Sequence, residues 1–238
     1  MSIDILLVVM ATAVAQSLFG VGVLLFGTPA LLLLGYDFVQ VLGVLLPVSL
    51  AINLLQIARH HAAIDFVLYR RILFFALPPI ALFLFLVTRV RIDIGIVVGG
   101  FLLLIAAREF LPALDRGLNA MMRYETGYCV VMGIVHGLSN LGGSLLTALV
   151  HHKNYDKDTT RVTVAISYAT FAGIQLLTLA LSGRQPLAVL FGGEFVYVLA
   201  GALVFLVVEG MFFARIEPAR YRRIFAGFLA GSGMALLW

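Results

Sequence analysis

The side chains that could bind a solute are concentrated in two otherwise apolar stretches, Ser17–Pro29 and His136–Leu149. Hydroxyl, amide and imidazole groups can donate hydrogen bonds to an anion without the penalty of a buried charge. The candidates in and beside the first stretch are Gln16, Ser17, Gly20, Gly22 and Thr28. Those in the second are His136, Ser139, Asn140, Gly142, Gly143, Ser144 and Thr147. Both stretches therefore predict the donors of a small-anion site.

Glycine and asparagine interrupt both stretches where a simple membrane anchor would carry leucine. These are poor helix residues, and a broken helix at membrane depth is tolerated only where it is buried in protein or lines a cavity. If each stretch forms a hairpin, its second arm begins with backbone N–H groups that bind anions. The relevant amides would lie around Gly20–Gly22 and Leu141–Ser144. The alternative is that the small residues only allow close helix packing.

Two of the apolar segments that follow the breaks carry polar residues on one face. These residues are Ser49, Asn53 and Gln56 in the first half and Ser167, Thr170 and Gln175 in the second. Asn53 and Gln175 are added to the predicted binding residues. For any single residue of this kind, a hydrogen bond between helices is the commoner role.

Two ionisable residues in apolar segments, His136 and Glu194, are candidates for carrying a proton. For His136 the alternative is a packing role, with its ring bonded to a neighbouring carbonyl. Glu209 lies nearer an arginine-rich segment, and we expect it at the membrane interface, paired with Arg215 or a neighbour.

The sequence contains no convincing catalytic constellation. His136 and Ser139 leave a membrane-embedded hydrolase open as an alternative function, but their spacing along one helix arm suits packing better than a nucleophile and its base. A phosphate-binding P-loop and metal-ligand spacings are both missing from the sequence. We therefore predict a protein that is not an enzyme and that uses no cofactor and no metal.

The composition indicates an integral membrane protein. Of the 238 residues, 62% are hydrophobic and 12% are charged, and the mean hydropathy is +1.08. Soluble domains have about a quarter charged residues. The net charge of +4 comes mainly from arginines in short loops, which indicates membrane topology and excludes a nucleic-acid partner. Cys129 is the single cysteine, and it lies in an apolar run typical of a packed thiol.

The elements that position these residues are predicted to be those of an all-α polytopic membrane protein with two inverted repeats. The first repeat covers residues 1–114, a linker covers 115–123 and the second repeat covers 124–238. Each repeat begins with a broken or re-entrant helix hairpin and continues with three transmembrane helices. The predicted spans are Phe38–Ala58, Ile72–Thr88, Ile92–Pro112, Val162–Ser182, Leu187–Phe213 and Ile224–Trp238. Polar connections are predicted at 59–71 and 151–161.

The inversion follows from the distribution of the sixteen lysines and arginines. If every segment crosses the membrane, seven fall on one face and nine on the other, which gives no orientation. If the two broken segments return to the face they entered, only Arg89, Arg91 and Arg184 fall on one face, and the remaining thirteen on the other. Basic loops are cytoplasmic, so this model places both termini outside. Three spans in the first repeat then make the second repeat inverted, an architecture typical of transporters with discontinuous helices.

The sequence resembles the TauE/SafE sulfite exporter family, also called the 4-toluene sulfonate uptake permeases. The resemblance rests on Gly20-Val21-Gly22 with Pro29 and on Asn140-Leu141-Gly142-Gly143, which occupy the places of the two glycine motifs of that family. The first motif lacks the extra glycine at Val23, and Leu149 stands where a proline usually follows the second. The length, the duplicated layout and the serines Ser49 and Ser167 also match.

The resemblance implies a transporter of small sulfur-containing anions, such as sulfite, thiosulfate or organosulfonates, in a bacterial inner membrane. This agrees with the anion site inferred from the residues, which we place near mid-membrane where the two breaks meet. Proton coupling, the direction of transport and assembly into a homo-oligomer are left open by the sequence. A passive anion channel is a further alternative.

Overall fold

The computed structural model describes residues 2–20, 22–90, 93–183, 195–212 and 229–238, and the regular structure within these ranges is helical. The helices of the first half are α1 Ile3–Phe19, α2 Val23–Leu33, α3 Phe38–His60, α4 Phe66–Arg89, α5 Ile94–Phe110 and α6 Pro112–Met122, with a 3₁₀ turn at His61–Ala63. Those of the second half are α7 Glu125–Ser139, α8 Gly143–His152, α9 Lys157–Leu181, α10 Phe195–Phe212 and α11 over 229–237. The predicted all-helical class is confirmed.

Aspartates fix the starts of four helices. The side chains of Asp37, Asp65, Asp93 and Asp156 accept hydrogen bonds from the first backbone N–H groups of α3, α4, α5 and α9. Three of the described helices, α3, α4 and α9, are long and apolar enough to cross a membrane, and α1, α2, α5 and α10 are shorter apolar helices.

The first predicted break lies between α1 and α2. Gly20 ends α1 with φ of 75°, in the left-handed region that favours glycine. Gly22 then packs back against α1, where an added Cβ would lie 2.5 Å from the backbone nitrogen of Gln16 and 2.8 Å from the backbone oxygen of Thr12. The chain therefore reverses at the break, and only glycine fits at this contact.

The second break has the same construction about 120 residues later. Asn140 ends α7 with φ of 63°. An added Cβ on Gly142 would lie 2.5 Å from Cβ of His136 and 2.6 Å from the Met132 oxygen. Both predicted interruptions are confirmed, and in each the second arm returns along the first.

Polar contacts join the open ends of both hairpins. The Tyr36 hydroxyl, just after α2, donates to Asp4 at the start of α1 over 2.7 Å. Lys153, just after α8, forms an ion pair with Glu125 at the start of α7, and Glu125 also pairs with Arg71 of α4. Each broken segment is therefore a hairpin that ends beside the point where it began.

The hairpins open at opposite ends of the pair formed by α3 and α9. The end of α3 lies beside the start of α9, because the Asp65 N–H donates to Thr163 over 3.1 Å and His60 lies 3.8 Å from Asp158. The first hairpin opens next to the start of α3, and the second opens next to the start of α9.

Each hairpin packs against a helix of the other half. The first arm α1 packs on α10, and α7 packs on α4. Small residues allow the second contact, since an added Cβ on Gly133 would lie 2.4 Å from the Ala76 oxygen and one on Gly137 would lie 2.7 Å from the Ile80 oxygen. In the first contact the Ser17 hydroxyl donates to the Phe205 carbonyl of α10 over 3.2 Å.

Several predicted boundaries are corrected. The connection predicted at 59–71 is shorter, because Asp65 caps α4 and Arg70 and Arg71 lie in that helix. The predicted linker 115–123, whose role as a boundary stays a prediction, lies mostly within α6. The connection predicted at 151–161 shrinks to four residues between α8 and α9, and Arg161 is helical. Of the last two predicted spans, residues 187–194, residue 213 and residues 224–228 lie outside the described ranges.

Candidate functional site

The structure buries most of the predicted polar residues in two clusters, one at each hairpin tip. The side chains involved are at most 3% exposed: Gln16, Ser17, Asn53, His136, Ser139, Asn140 and Gln175. Gly22, Gly142 and Gly143 are buried with them, whereas Gly20 and Ser144 are partly buried. Cys129 is buried, as predicted for a packed thiol. Buried polar groups are rare unless they are hydrogen-bonded, so the partners of each group matter.

In the first-tip cluster, Gln16 links the two arms of the hairpin to α3. Its side-chain oxygen accepts from the Val23 N–H, the first of α2, over 3.0 Å. Its side-chain nitrogen donates to Asn53 over 3.2 Å, and Asn53 donates in turn to the Ser49 carbonyl over 2.7 Å. Gln16 therefore satisfies the N–H that directly follows the amides predicted at Gly20–Gly22. Val21, at the centre of this break, lies outside the described residues.

Arg161 is not among the residues predicted for the site, because the sequence places it in a polar connection. Arg161 is 7% exposed and lies at the first tip, where its Cγ would be 3.9 Å from a Cβ added to Gly20. Its guanidinium donates to the Ser17 carbonyl over 3.2 Å and pairs with Glu209 over 2.8 Å. The Asp156 cap was the available signal, because it starts α9 before Arg161 and turns that residue into the bundle.

Glu209 is predicted at the membrane interface, paired with Arg215 or a neighbour. In the structure it is 6% exposed and pairs with Arg161 of α9 and Arg59 of α3. Its depth in the membrane stays a prediction. Arg215 and the proton-carrier candidate Glu194 lie outside the described residues.

In the second-tip cluster, four side chains form a hydrogen-bonded chain. His136 Nε2 lies 3.1 Å from the Gln175 oxygen, and the Gln175 nitrogen donates to the Asn140 oxygen over 3.3 Å. The Asn140 nitrogen donates to the Thr28 hydroxyl on α2 over 3.0 Å. The tip of the second hairpin is therefore bonded directly to the second arm of the first.

One nitrogen of this cluster has no partner. His136 is fully buried, and its Nδ1 makes no hydrogen bond in the part of the chain that the structure describes. The ring packs against Phe171 with centroids 4.9 Å apart. An unsatisfied buried polar group is unfavourable, so His136 is the residue of this cluster best placed to bind a further group.

The three hydroxyls predicted at the second tip bond to their own hairpin. Ser139 donates to the Val135 carbonyl over 2.7 Å, Ser144 to the Leu141 carbonyl over 2.9 Å and Thr147 to the Gly143 carbonyl over 2.9 Å. Ser139 and His136 are not bonded to each other in the structure, which gives the alternative of a membrane hydrolase no geometric support.

Gly143, the first residue of α8, lies against the Tyr168 hydroxyl. An added Cβ would lie 1.3 Å from the hydroxyl oxygen and 2.0 Å from the ring carbon that carries it. This contact fixes α8 against α9 beside the second tip. It also explains why a residue with a side chain cannot replace Gly143 without a shift of the helices.

The two clusters are neighbouring but separate. They are connected by α2, since Val23 bonds to Gln16 and Thr28 bonds to Asn140. Thr28 lies five positions after Val23, which is about 7.5 Å along a helix. The remaining predicted polar residues, Ser167 and Thr170, donate to carbonyls of their own helix. Within the described residues no group of three side chains suits a metal ion.

A third polar contact, outside the spans, joins the turns that precede α4 and α9. The Tyr155 hydroxyl donates to the Asp65 carboxylate. Burial raises the pKa of Asp65, but this bond and those from the backbone outweigh it, and the pKa lies below its usual value. Burial and the bond to Asp65 raise the pKa of Tyr155 to about 12. Asp65 is therefore charged at neutral pH.

Comparison with protein families identifies the chain. A family model described as Sulfite exporter TauE/SafE matches residues 5–236. The chain therefore belongs to the TauE/SafE sulfite exporter family, and the apolar helices agree with an integral membrane transport protein. Comparison with curated proteins and with solved structures finds no match.

Proposed function

We propose that this member of the TauE/SafE family transports small sulfur-containing anions such as sulfite, thiosulfate or organosulfonates, bound between the tips of its two hairpins. The observation that carries the proposal is the buried bond from Asn140 to Thr28, which joins the hairpins inside an apolar bundle. Amide, imidazole and backbone donors surround this contact, and they suit an oxyanion whose charge must be stabilised away from water.

Binding of a solute would exchange bonds within both clusters. His136, Asn140 and Gln175 now donate to and accept from one another. An oxyanion at the second tip would take over donors from these bonds and from the first N–H groups of α8, at Gly142 and Gly143. At the first tip, Gln16 and Asn53 would exchange partners in the same way.

The two halves would form inverted repeats. Equivalent residues recur at an offset of about 120: Gln16 and His136 bond to the next long helix, and Gly20 and Asn140 end the first arms. The opposite openings of the hairpins support the inversion. With the basic loops in the cytoplasm, the first hairpin would open to the outside of a bacterial inner membrane and the second to the inside.

Uptake into proteoliposomes tests the proposal. Purified protein is reconstituted and supplied with labelled sulfite, thiosulfate or an organosulfonate, with and without a pH gradient. We expect saturable uptake of at least one anion, and stimulation by the gradient would indicate proton coupling. Uptake of none of them above protein-free liposomes would contradict the proposal, whereas flux that never saturates would indicate a passive channel.

His136 provides the matching variant. His136→Ala removes the bond to Gln175 and the imidazole that faces the site, so we expect uptake to fall at least tenfold. His151→Ala is the control, because His151 is exposed and its Nδ1 bonds to the Thr147 carbonyl of its own helix. Equal uptake by the two variants would remove His136 from the site.

A further inference from the structure

A chain of charged side chains leads from the first tip to the surface. Arg161 pairs with one oxygen of Glu209, and Arg59 pairs with the other. The Arg161 and Glu209 side chains are 6% and 5% exposed, whereas the Arg59 side chain is 45% exposed. A buried carboxylate is therefore shared between a buried guanidinium and one that reaches the solvent.

Hydrogen bonds continue this chain to the hairpin. The Gln56 side-chain amide is oriented with its oxygen toward Arg161. The Gln56 oxygen then accepts from the guanidinium over 3.2 Å, and the Gln56 nitrogen donates to Asn53 over 3.2 Å. Asn53 accepts from Gln16, which bonds to the first N–H of α2. Polar groups thus connect the start of α2 with Arg59 without interruption.

We propose that Arg161 is an anion-binding residue on the transport path and that Glu209 occupies it when no transported anion is present. The inference rests on the proposed function, which it deepens by naming the residue that carries the positive charge. A guanidinium binds carboxylates and sulfur oxyanions through the same planar pair of donors. Glu209 is in this sense an internal competitor of the solute.

The geometry allows the exchange. A buried guanidinium requires an anion beside it at all times, because an unpaired buried charge is strongly unfavourable. When a solute replaces Glu209 at Arg161, Glu209 keeps its bond to Arg59, so neither charge is left alone. The solute would then lie on the Gly20 side of Arg161, where Cγ of Arg161 itself is the one described atom within 4 Å of a Cβ added to Gly20.

The test separates the half-saturating concentration from the maximal rate. In the proteoliposome assay with labelled sulfite, Glu209→Gln removes the competitor, and we expect KM to fall at least threefold. Arg161→Lys keeps the charge but loses the paired donors, and KM should rise at least threefold. Arg123→Gln, at an exposed arginine outside both clusters, should leave KM unchanged.

A double variant guards against misfolding. Arg161→Gln with Glu209→Gln removes both buried charges together, and we expect a stable protein whose uptake is at least tenfold lower than that of Glu209→Gln alone. Sulfite should raise the melting temperature of the wild type and of Glu209→Gln in detergent, but not that of the double variant. If the wild type shows uptake but both single variants keep its KM, the role of Arg161 is overturned and the proposed function is not. Stabilisation of the double variant by sulfite would have the same consequence. Absence of wild-type uptake would instead overturn the proposed function.

Discussion

At the scale of residues, the two tips use the same device with different side chains. Gln16 and His136 each lie four residues before the left-handed residue that ends the first arm. Each bonds to an amide side chain of the following long helix, Asn53 or Gln175. The Gln16 side-chain oxygen accepts a hydrogen bond from the first N–H of α2. The Nδ1 nitrogen of His136, in contrast, has no hydrogen-bond partner among the described residues. The second tip is therefore the less satisfied of the two.

Asn140 separates the role of backbone conformation from that of the side chain. Asn140→Gly keeps a residue that tolerates a positive φ but removes the bonds to Thr28 and Gln175. We expect a melting temperature below that of the wild type, because Thr28 and Gln175 each lose a buried partner. Uptake should fall about tenfold, in line with the loss of about 1.4 kcal/mol of binding.

Asn140→Ala removes the same bonds and adds the strain of a left-handed alanine, about 1 kcal/mol. It should therefore melt below the glycine variant while showing the same uptake defect. Melting curves in detergent and uptake by both variants check this. Full uptake by Asn140→Gly would show that the side chain takes no part in binding.

At this scale the sequence predicts most of the polar side chains that the two clusters contain, but not Arg161 or Glu209 among them. Gln16, His136 and Asn140 stand out because polar residues in apolar segments are rare. Arg161 and Glu209 do not, because each lies near a polar segment where a charged residue is expected at the surface. Only the packing of α3, α9 and α10 shows that both are buried.

At the scale of elements, close contacts at glycine fix the hairpins. Gly22 and Gly142 allow each second arm to return along the first, and Gly133 and Gly137 allow α7 to lie on α4. The breaks were predictable because glycine and asparagine disfavour helices. The connection at 151–161 was predicted too long. Its charged and polar residues are typical of a loop, but those after the Asp156 cap form the first turn of α9.

Gly143→Ala tests the contact between α8 and α9. Because the new Cβ would overlap the Tyr168 hydroxyl, we expect a loss of about 1–3 kcal/mol of stability, the usual range for overpacking. Gly127→Ala is the control on the other arm of the hairpin, where an added Cβ meets nothing within 4 Å. Chemical or thermal unfolding in detergent measures both, and equal stability of the two variants would contradict the contact.

At the scale of the whole molecule, the halves are interlocked. Each hairpin packs through its first arm on a helix of the other half, α1 on α10 and α7 on α4. The glycines Gly99 of α5 and Gly233 of α11 make a reciprocal contact, since a Cβ added to either would lie 2.9 Å from the carbonyl oxygen of the other. The sequence predicts two similar halves from their order of elements, but this exchange of partners depends on long-range packing that periodicity does not contain.

Cysteine labelling in sealed cells or oriented vesicles measures whether the two hairpins open on opposite sides of the membrane. In a Cys129→Ser background, single cysteines replace Ile3 and Leu34 at the ends of the first hairpin, or Tyr124 and His152 at the ends of the second; all four positions are exposed. We expect a membrane-impermeant reagent to label the first two positions from the outside and the last two from the inside. Labelling of the two ends of one hairpin from opposite sides of the membrane, or of all four positions from the same side, would contradict this arrangement of the hairpins.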